Sequence, residues 1–396
     1  MKIGLIGLHQ TGKTTLFELL CGRGAGAATS DKKSANLGIG LVPDARIDFL
    51  SDLYKPKKTT YARIEFTDVN GFSVSDGKND NNGSGSSGAG ISGGISGGGN
   101  GNSGAGISGN SGSGSGSSAA KFLNDVRPCD ALIHVLRAFD SKFIIHDLGF
   151  INPARDLEAV ETEILFADLE MIEKRINRIK AGKKVSKTQT DEITLLERCY
   201  AQLENGGAIH DIILSNEESA IINTYEFLTE KPRLAVVNTD EHQWTSGTYP
   251  NSEEINSLCS KLQIPLITLC AEMELEISRL PEEDKKPFLD DLGIEQPGIA
   301  TLARAVYGLL GLISFITVGE DEVRAWTIEK GINAKTAASK IHSDIERGFI
   351  RAEVVKYDDI KELGNMAKVK EKGLFRLEGK EYIVADGDII SFRFNV

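Results

Sequence analysis

The sequence predicts an α/β fold: a P-loop nucleotide-binding domain, an antiparallel helical hairpin inserted into it, and a small α+β module at the C-terminal end. Three observations predict it. The chain opens with an apolar strand, Met1-Lys2-Ile3-Gly4-Leu5-Ile6, that runs into Gly7-Leu8-His9-Gln10-Thr11-Gly12-Lys13-Thr14-Thr15, with the spacing G-x-x-x-x-G-K-T. Apolar runs of parallel-strand type alternate with helical patterns over most of the chain. Two long amphipathic stripes, joined by a short polar stretch, interrupt that alternation after about residue 151.

The opening loop has the strand–loop–helix setting that phosphate binding requires, with Leu16-Phe17-Glu18-Leu19-Leu20 continuing as helix. Glycines let backbone N–H groups curl around an anion, and the helix N-terminus adds partial positive charge. The phosphate-binding set is therefore Gly7, Gln10, Thr11, Gly12, Lys13, Thr14 and Thr15. Lys13 would reach the β- and γ-phosphates and so share in catalysis, and the Thr14 hydroxyl would hold Mg²⁺.

The next strand, Tyr61–Thr67, ends at Asp68-Val69-Asn70-Gly71. In P-loop switch proteins the Asp of D-x-x-G holds Mg²⁺, usually through water, and the Gly N–H senses the γ-phosphate. Asp68 and Gly71 take those roles here. From Gly77 to Gly116 the chain is almost all Gly, Ser, Asn and Ala and holds 17 of the 42 glycines, so it cannot bury enough surface to offset its ordering entropy. We read about 76–118 as a flexible insert. A buried strand follows over Ala131–Phe139.

A long helix is expected over about Pro153–Lys180 and a second over about Asp191–Glu204, as a hairpin. Lys174, Arg175, Arg178, Lys180, Lys183, Lys184 and Lys187 surround its turn with no acid between Lys174 and Thr190. Such a cluster is either a solvated tip or a contact to RNA phosphates. Strand Arg233–Val237 then leads into Asn238-Thr239-Asp240-Glu241, where a GTPase would carry N-K-x-D. In that motif the Asp accepts two hydrogen bonds from guanine. The longer Glu241 displaces the carboxylate, so guanine preference should weaken. Strand Pro265–Leu269 leads into Cys270-Ala271, the backbone turn near the base. The C-terminal module has strands at Phe315–Val318, Arg324–Ile328, Arg351–Val355, Glu381–Val384 and Ile389–Phe394, with one helix over Ala334–Arg347.

A net charge of −12 argues against indiscriminate nucleic-acid binding, and no DNA sequence readout is expected. No apolar run reaches membrane-span length, and the chain opens on a strand rather than a signal peptide, so no membrane association and a cytoplasmic location are expected. The five scattered cysteines read as reduced thiols.

Several phrases resemble the YchF-type Obg-like ATPase family over nearly the full chain. They include Gly40-Leu41-Val42-Pro43, Ile133-His134-Val135-Leu136-Arg137, Asn152-Pro153-Ala154, Glu322-Val323-Arg324-Ala325-Trp326-Thr327-Ile328, Gly348-Phe349-Ile350-Arg351-Ala352 and Asp386-Gly387-Asp388. The resemblance implies a Ras-like P-loop domain over 1–150 and 207–311, a hairpin over 151–206, and a ubiquitin-like β-grasp TGS domain over 312–396. It also implies Mg²⁺-dependent hydrolysis of ATP in preference to GTP, and association with ribosomes or structured RNA through the hairpin tip and the TGS domain. Asn238 and Glu241 fall on the family's base-recognition motif, and His134 on a histidine placed near the attacking water; a core histidine on a buried strand is the competing reading. His9-Gln10 stands where the family has Pro-Asn, which puts K⁺ dependence in doubt. Lys32 stands where the first switch normally has Thr, Phe72 follows D-x-x-G, and the Gly/Ser tract replaces the second switch. Slow turnover is therefore expected, with a nearly inactive nucleotide-binding module and a true GTPase as alternatives.

Overall fold

The computed structural model describes residues 1–22, 36–69, 71, 123–146, 148–294 and 296–395. The expectations for the first switch (Thr29, Ser30, Lys32), for Phe72 and for the Gly/Ser tract lie outside these residues.

The first sheet has the order β2-β4-β1-β5-β6-β7. Its strands are β1 (Lys2–Ile6), β2 (Asn36–Val42), β4 (Ala62–Asp68), β5 (Ala131–Arg137), β6 (Arg233–Asn238) and β7 (Leu266–Leu269). All pairs are parallel except β2 with β4. Parallel strands covered on both faces must be apolar throughout, and every residue of β5 is buried. Helix α1 (Lys13–Cys21) packs Leu16, Phe17 and Leu20 on one face. The mixed order places the C-terminal ends of β1, β5, β6 and β7 side by side, where open α/β sheets bind ligands.

Helix α2 (Ala45–Tyr54) follows β2, and the long helix α3 spans Pro153–Lys180. Pro153 fits the first turn of α3, and the Asn152 side chain caps it by accepting from the Arg155 N–H. The first half of α3 packs Leu157, Val160 and Ile164 against the sheet. Its second half packs Ile172 and Ile176 against Leu196, Cys199 and Leu203 of α4 (Lys187–Glu204). Asp168 marks the change of partner: it is fully buried and held by Arg127 at 2.7 Å and by the Thr229 N–H at 2.8 Å. The hairpin is present as expected, but α4 begins at Lys187 rather than about Asp191, because Ser186 and Gln189 form a capping box.

The second sheet has the order β11-β10-β12-β8-β9-β3. It is built from β8 (Leu312–Val318), β9 (Glu322–Glu329), β10 (Phe349–Lys356), β11 (Arg376–Glu378) and β12 (Asp388–Phe394). One of its two edge strands is β3 (Lys58–Thr60), lent by the first domain and paired parallel to β9. The Thr60 hydroxyl donates to Glu322 at 2.5 Å, and Arg46 of α2 bridges Asp44 and Asp386. One apolar core runs through both sheets, with Val42, Ile47 and Leu50 against Val323, Ala325 and Ile389. Two expectations for the module change. Glu381–Val384 makes only an isolated bridge, Asn333 to Ile383, and the single helix is two, Ala334–Ser339 and Ser343–Arg347.

His134 lies in β5, paired beside Ile6 and Ala235, and is 1% exposed. Neither ring nitrogen has a hydrogen-bond partner among the described residues. Burial first, then the Lys13 and Arg233 charges, lower its pKa to about 3. The folded value is depressed below the unfolded one, so this contribution to stability is complete above the unfolded pKa of 6.5 and is lost as pH falls from there toward 3. Urea unfolding at pH 7.5 and 5.0 should show a smaller loss in His134→Leu than in the unmutated chain, by up to about 1.4 kcal/mol per pH unit. An equal loss would mean that the folded ring takes up its proton.

Candidate functional site

A cleft of about 740 Å³ opens at the C-terminal ends of the parallel strands. One side is the phosphate loop: His9, Gln10, Gly12, Lys13, Thr14 and Thr15. Gly7 and Thr11 do not line it. Gly7 has φ of 141°, and a Cβ there would stand 2.4 Å from the Val135 carbonyl oxygen. Thr11 is 2% exposed, with its hydroxyl donating to the Leu8 carbonyl. Both shape the loop from beneath. Gln10, at φ 57°, holds a left-handed conformation unusual for a residue with a side chain.

Lys13 is 5% exposed, and its ammonium donates to the Gly7 and Leu8 carbonyls at 3.0 and 2.5 Å. Gly71 comes close to the same point: a Cβ on it would lie 2.8 Å from Lys13 Nζ and 2.8 Å from His9 Cα. Gly71 thus lines the cleft beside Lys13. The Thr14 hydroxyl donates to Asp68 Oδ2 at 3.0 Å. Asp68 Oδ1 is buried without a partner among the described residues. Burial raises the Asp68 pKa, against the opposing pull of Thr14, Asn36 and Lys13. A buried carboxylate oxygen with no donor fits a cation, and a hydroxyl and a carboxylate are hard oxygen ligands suited to Mg²⁺. No group of three or more His, Cys, Asp or Glu able to hold a metal occurs among the described residues.

Asn238 joins the four strand ends. Its Nδ2 donates to the Thr11 carbonyl at 3.1 Å, and its Oδ1 accepts from the Ala271 N–H at 3.0 Å. Its own carbonyl accepts from the N–H groups of Ala138 and Phe139. Gly12 has φ of 96°, and a Cβ on it would lie 2.3 Å from Asn238 Nδ2. Only glycine allows this approach. Asn238 therefore lines the cleft, with one donor and one acceptor of its amide tied to the protein backbone.

Glu241 is not among the lining residues. The chain turns into the helix α5 (Glu241–Ser246) with Asp240 as its cap, accepting from the Gln243 N–H at 2.9 Å, and the first helical residue is carried out to solvent. Asp240 and Glu272 bring the carboxylates to the cleft instead. Cys270 is the buried cap residue of the helix α6 (Ala271–Arg279), and only its neighbour Ala271 lines the cleft. His134 is likewise absent from the lining: the ring expected near an attacking water is enclosed in the core, because it belongs to a strand covered on both faces.

Sequence reasoning missed the remaining wall. Phe139, Asp140, Ser141 and Ile144 follow β5, and Leu275 comes from α6. The signal was positional: these residues follow strand ends where the fold holds its ligands. Of the basic residues at the hairpin, Lys174, Arg175 and Lys180 are ion-paired to Glu170, Glu192 and Glu197 at 2.6, 2.8 and 2.9 Å. Lys183, Lys184 and Lys187 are exposed around the turn.

The C-terminal residues 312–395 match the family model YchF-GTPase_C, described as a protein of unknown function (DUF933). The chain is 37% identical over 398 residues to a protein of Pasteurella multocida named ribosome-binding ATPase YchF, covering all of this chain and 99% of that one. It is 38% identical over 401 residues to the Bacillus subtilis protein of the same name, with both chains covered completely. Among solved structures, the YchF GTPase of Schizosaccharomyces pombe superposes with a TM-score of 0.74 at 27% identity, covering 99% of this chain and 97% of that one. With a P-loop domain, a helical hairpin and a β-grasp TGS module in one chain, this protein belongs to the YchF family of Obg-like P-loop proteins.

Proposed function

We propose that this chain binds a purine nucleoside triphosphate with Mg²⁺, hydrolyses it slowly with ATP favoured over GTP, and acts as a switch on ribosomes or structured RNA in the cytoplasm. The observation that carries the reading is the convergence of Lys13, Gly71 and Thr14 on one cleft that Asn238 also lines, with Asp68 held just beneath it by the Thr14 hydroxyl. Lys13 and the loop N–H groups would hold the phosphates, and Thr14 with Asp68 the metal. Bound Mg²⁺ would neutralise charge on the phosphates.

Two features support weak guanine selection. Guanine needs both oxygens of one carboxylate for its ring N–H and 2-amino group, as the N-K-x-D motif provides. Asp240 has one oxygen engaged as a helix cap, and Glu241 points to solvent. Slow turnover agrees with the burial of His134 away from the cleft. The same burial favours a second reading, a module that binds nucleotide and barely hydrolyses it. For the RNA contact, Lys187 places a cation at the positive end of the α4 dipole, an arrangement that costs about 0.3–1 kcal/mol unless an anion lies beside it. We read 1–150 and 207–311 as the nucleotide domain, 151–206 as the hairpin and 312–396 as the TGS domain.

Calorimetric titration with Mg²⁺-ATP should give a single site that Lys13→Ala weakens at least about 100-fold, or about 2.7 kcal/mol. No heat with any purine triphosphate would remove the nucleotide reading. A single-turnover assay should show phosphate release that Lys13→Ala abolishes; its absence in the unmutated chain would favour the second reading. In competition against a fluorescent nucleotide, GTP outcompeting ATP by more than about tenfold would overturn the base preference. Neutralising Lys183, Lys184 and Lys187 together should weaken ribosome co-sedimentation and lower its log–log salt slope by roughly 2–3. An unchanged salt profile would exclude the tip.

A further inference from the structure

Arg137 ends β5 and is 2% exposed. A guanidinium does not shed its proton inside a protein, so its burial demands partners that repay desolvation. Two of them are main-chain carbonyls of the loop that follows the strand. Nε donates to the Phe139 carbonyl at 3.1 Å, and Nη2 donates to the Ile144 carbonyl at 3.0 Å. The guanidinium plane also lies 4.6 Å from the centre of the Phe139 ring. Both residues whose carbonyls it holds line the cleft. They stand five positions apart in a stretch without helix or strand, so the fork replaces the ladder of hydrogen bonds that regular structure would supply.

The other end of this wall is tied as well. The Phe139 N–H donates to the Asn238 carbonyl at 3.1 Å, and Gln243 Nε2 donates to the Ala138 carbonyl at 2.9 Å. Farther along, His146 Nε2 meets Asp156 Oδ2 at 2.8 Å, and Arg155 donates to the Leu148 and Phe150 carbonyls. The Arg137 fork is the tie described that holds both Phe139 and Ile144.

We infer that Arg137 is a positioning residue for nucleotide binding, holding Phe139 and Ile144 as an apolar wall against the purine ring while leaving the phosphate half of the cleft untouched. This rests on the nucleotide reading above. A planar base packs on an aromatic face without regard to its hydrogen-bonding edge, so the wall adds affinity for a base and little choice between bases. The phosphate loop is shaped by Gly7, Gly12 and Asn238; the backbone of Arg137 pairs with Asn238 across β5 and β6, while the guanidinium bonds described run to the wall.

Lysine in place of Arg137 keeps the charge but loses the fork and the stacking plane. The test compares Mg²⁺-ATP with Mg²⁺-tripolyphosphate, which has the phosphates and no base, by calorimetry on the full chain. Arg137→Lys should weaken ATP at least about tenfold and leave tripolyphosphate within about twofold. Phe139→Ala should give the same selective loss, and if Arg137→Lys does not fold, this variant decides: an unchanged ratio of the two affinities overturns the inference. So does a parallel loss of both ligands in Arg137→Lys, which is what a purely structural role would produce, or no loss of either. An unmutated chain that holds tripolyphosphate but not ATP would instead overturn the nucleotide reading, and the inference with it.

Discussion

The site depends on the side-chain amide of Asn238. One planar group, with a donor and an acceptor pointing opposite ways, ties the phosphate loop to the turn after β7. Its backbone carbonyl gathers the end of β5 at the same point. Both amide atoms are buried, so leaving either unpaired would cost about 1–3 kcal/mol. The constraint propagates to sequence: Gly12 has no room for a side chain because the amide occupies that space. A residue whose type suggests base recognition is thus also the fastener that holds the cleft walls together.

The parts attached to this domain use different physics. The hairpin is joined by one continuous helix that changes its apolar partner half-way, and Asp168 with Arg127 fixes the crossing point. The TGS module is joined by strand pairing and a shared core. Strand β3 completes its sheet, and Val42, Ile47 and Leu50 pack against it. The same segment runs back into β4, which carries Asp68 at its end.

What the sequence made legible is what depends on local spacing. The phosphate loop and the D-x-x-G residues follow from short motifs and both hairpin helices from apolar steps of three and four residues, and the folded chain brings Lys13, Thr14, Asp68 and Gly71 together. Position beyond that reach was harder to read. Glu241 was misplaced because a cap at Asp240 turns the chain one residue earlier than the motif implies. His134 was legible as a strand residue, and the strand's burial on both faces removes it from the cleft. The pairing of β3 with β9 joins residues some 260 positions apart, as Thr60 and Glu322 do, and no periodicity announces it. The wall at Phe139 comes from a loop tied to Asn238 and Gln243 by long-range hydrogen bonds, so composition alone carries no sign of it.

The strand lent by the first domain makes the C-terminal module inseparable from the nucleotide domain. Truncation before Leu312 would strand β3 without a neighbour and turn Val42, Ile47 and Leu50 toward water, forfeiting about 1.5–3 kcal/mol for each side chain so uncovered. Inheritance of these two halves is therefore a joint affair: a lineage could trade one for another of like shape only by rebuilding the seam between them.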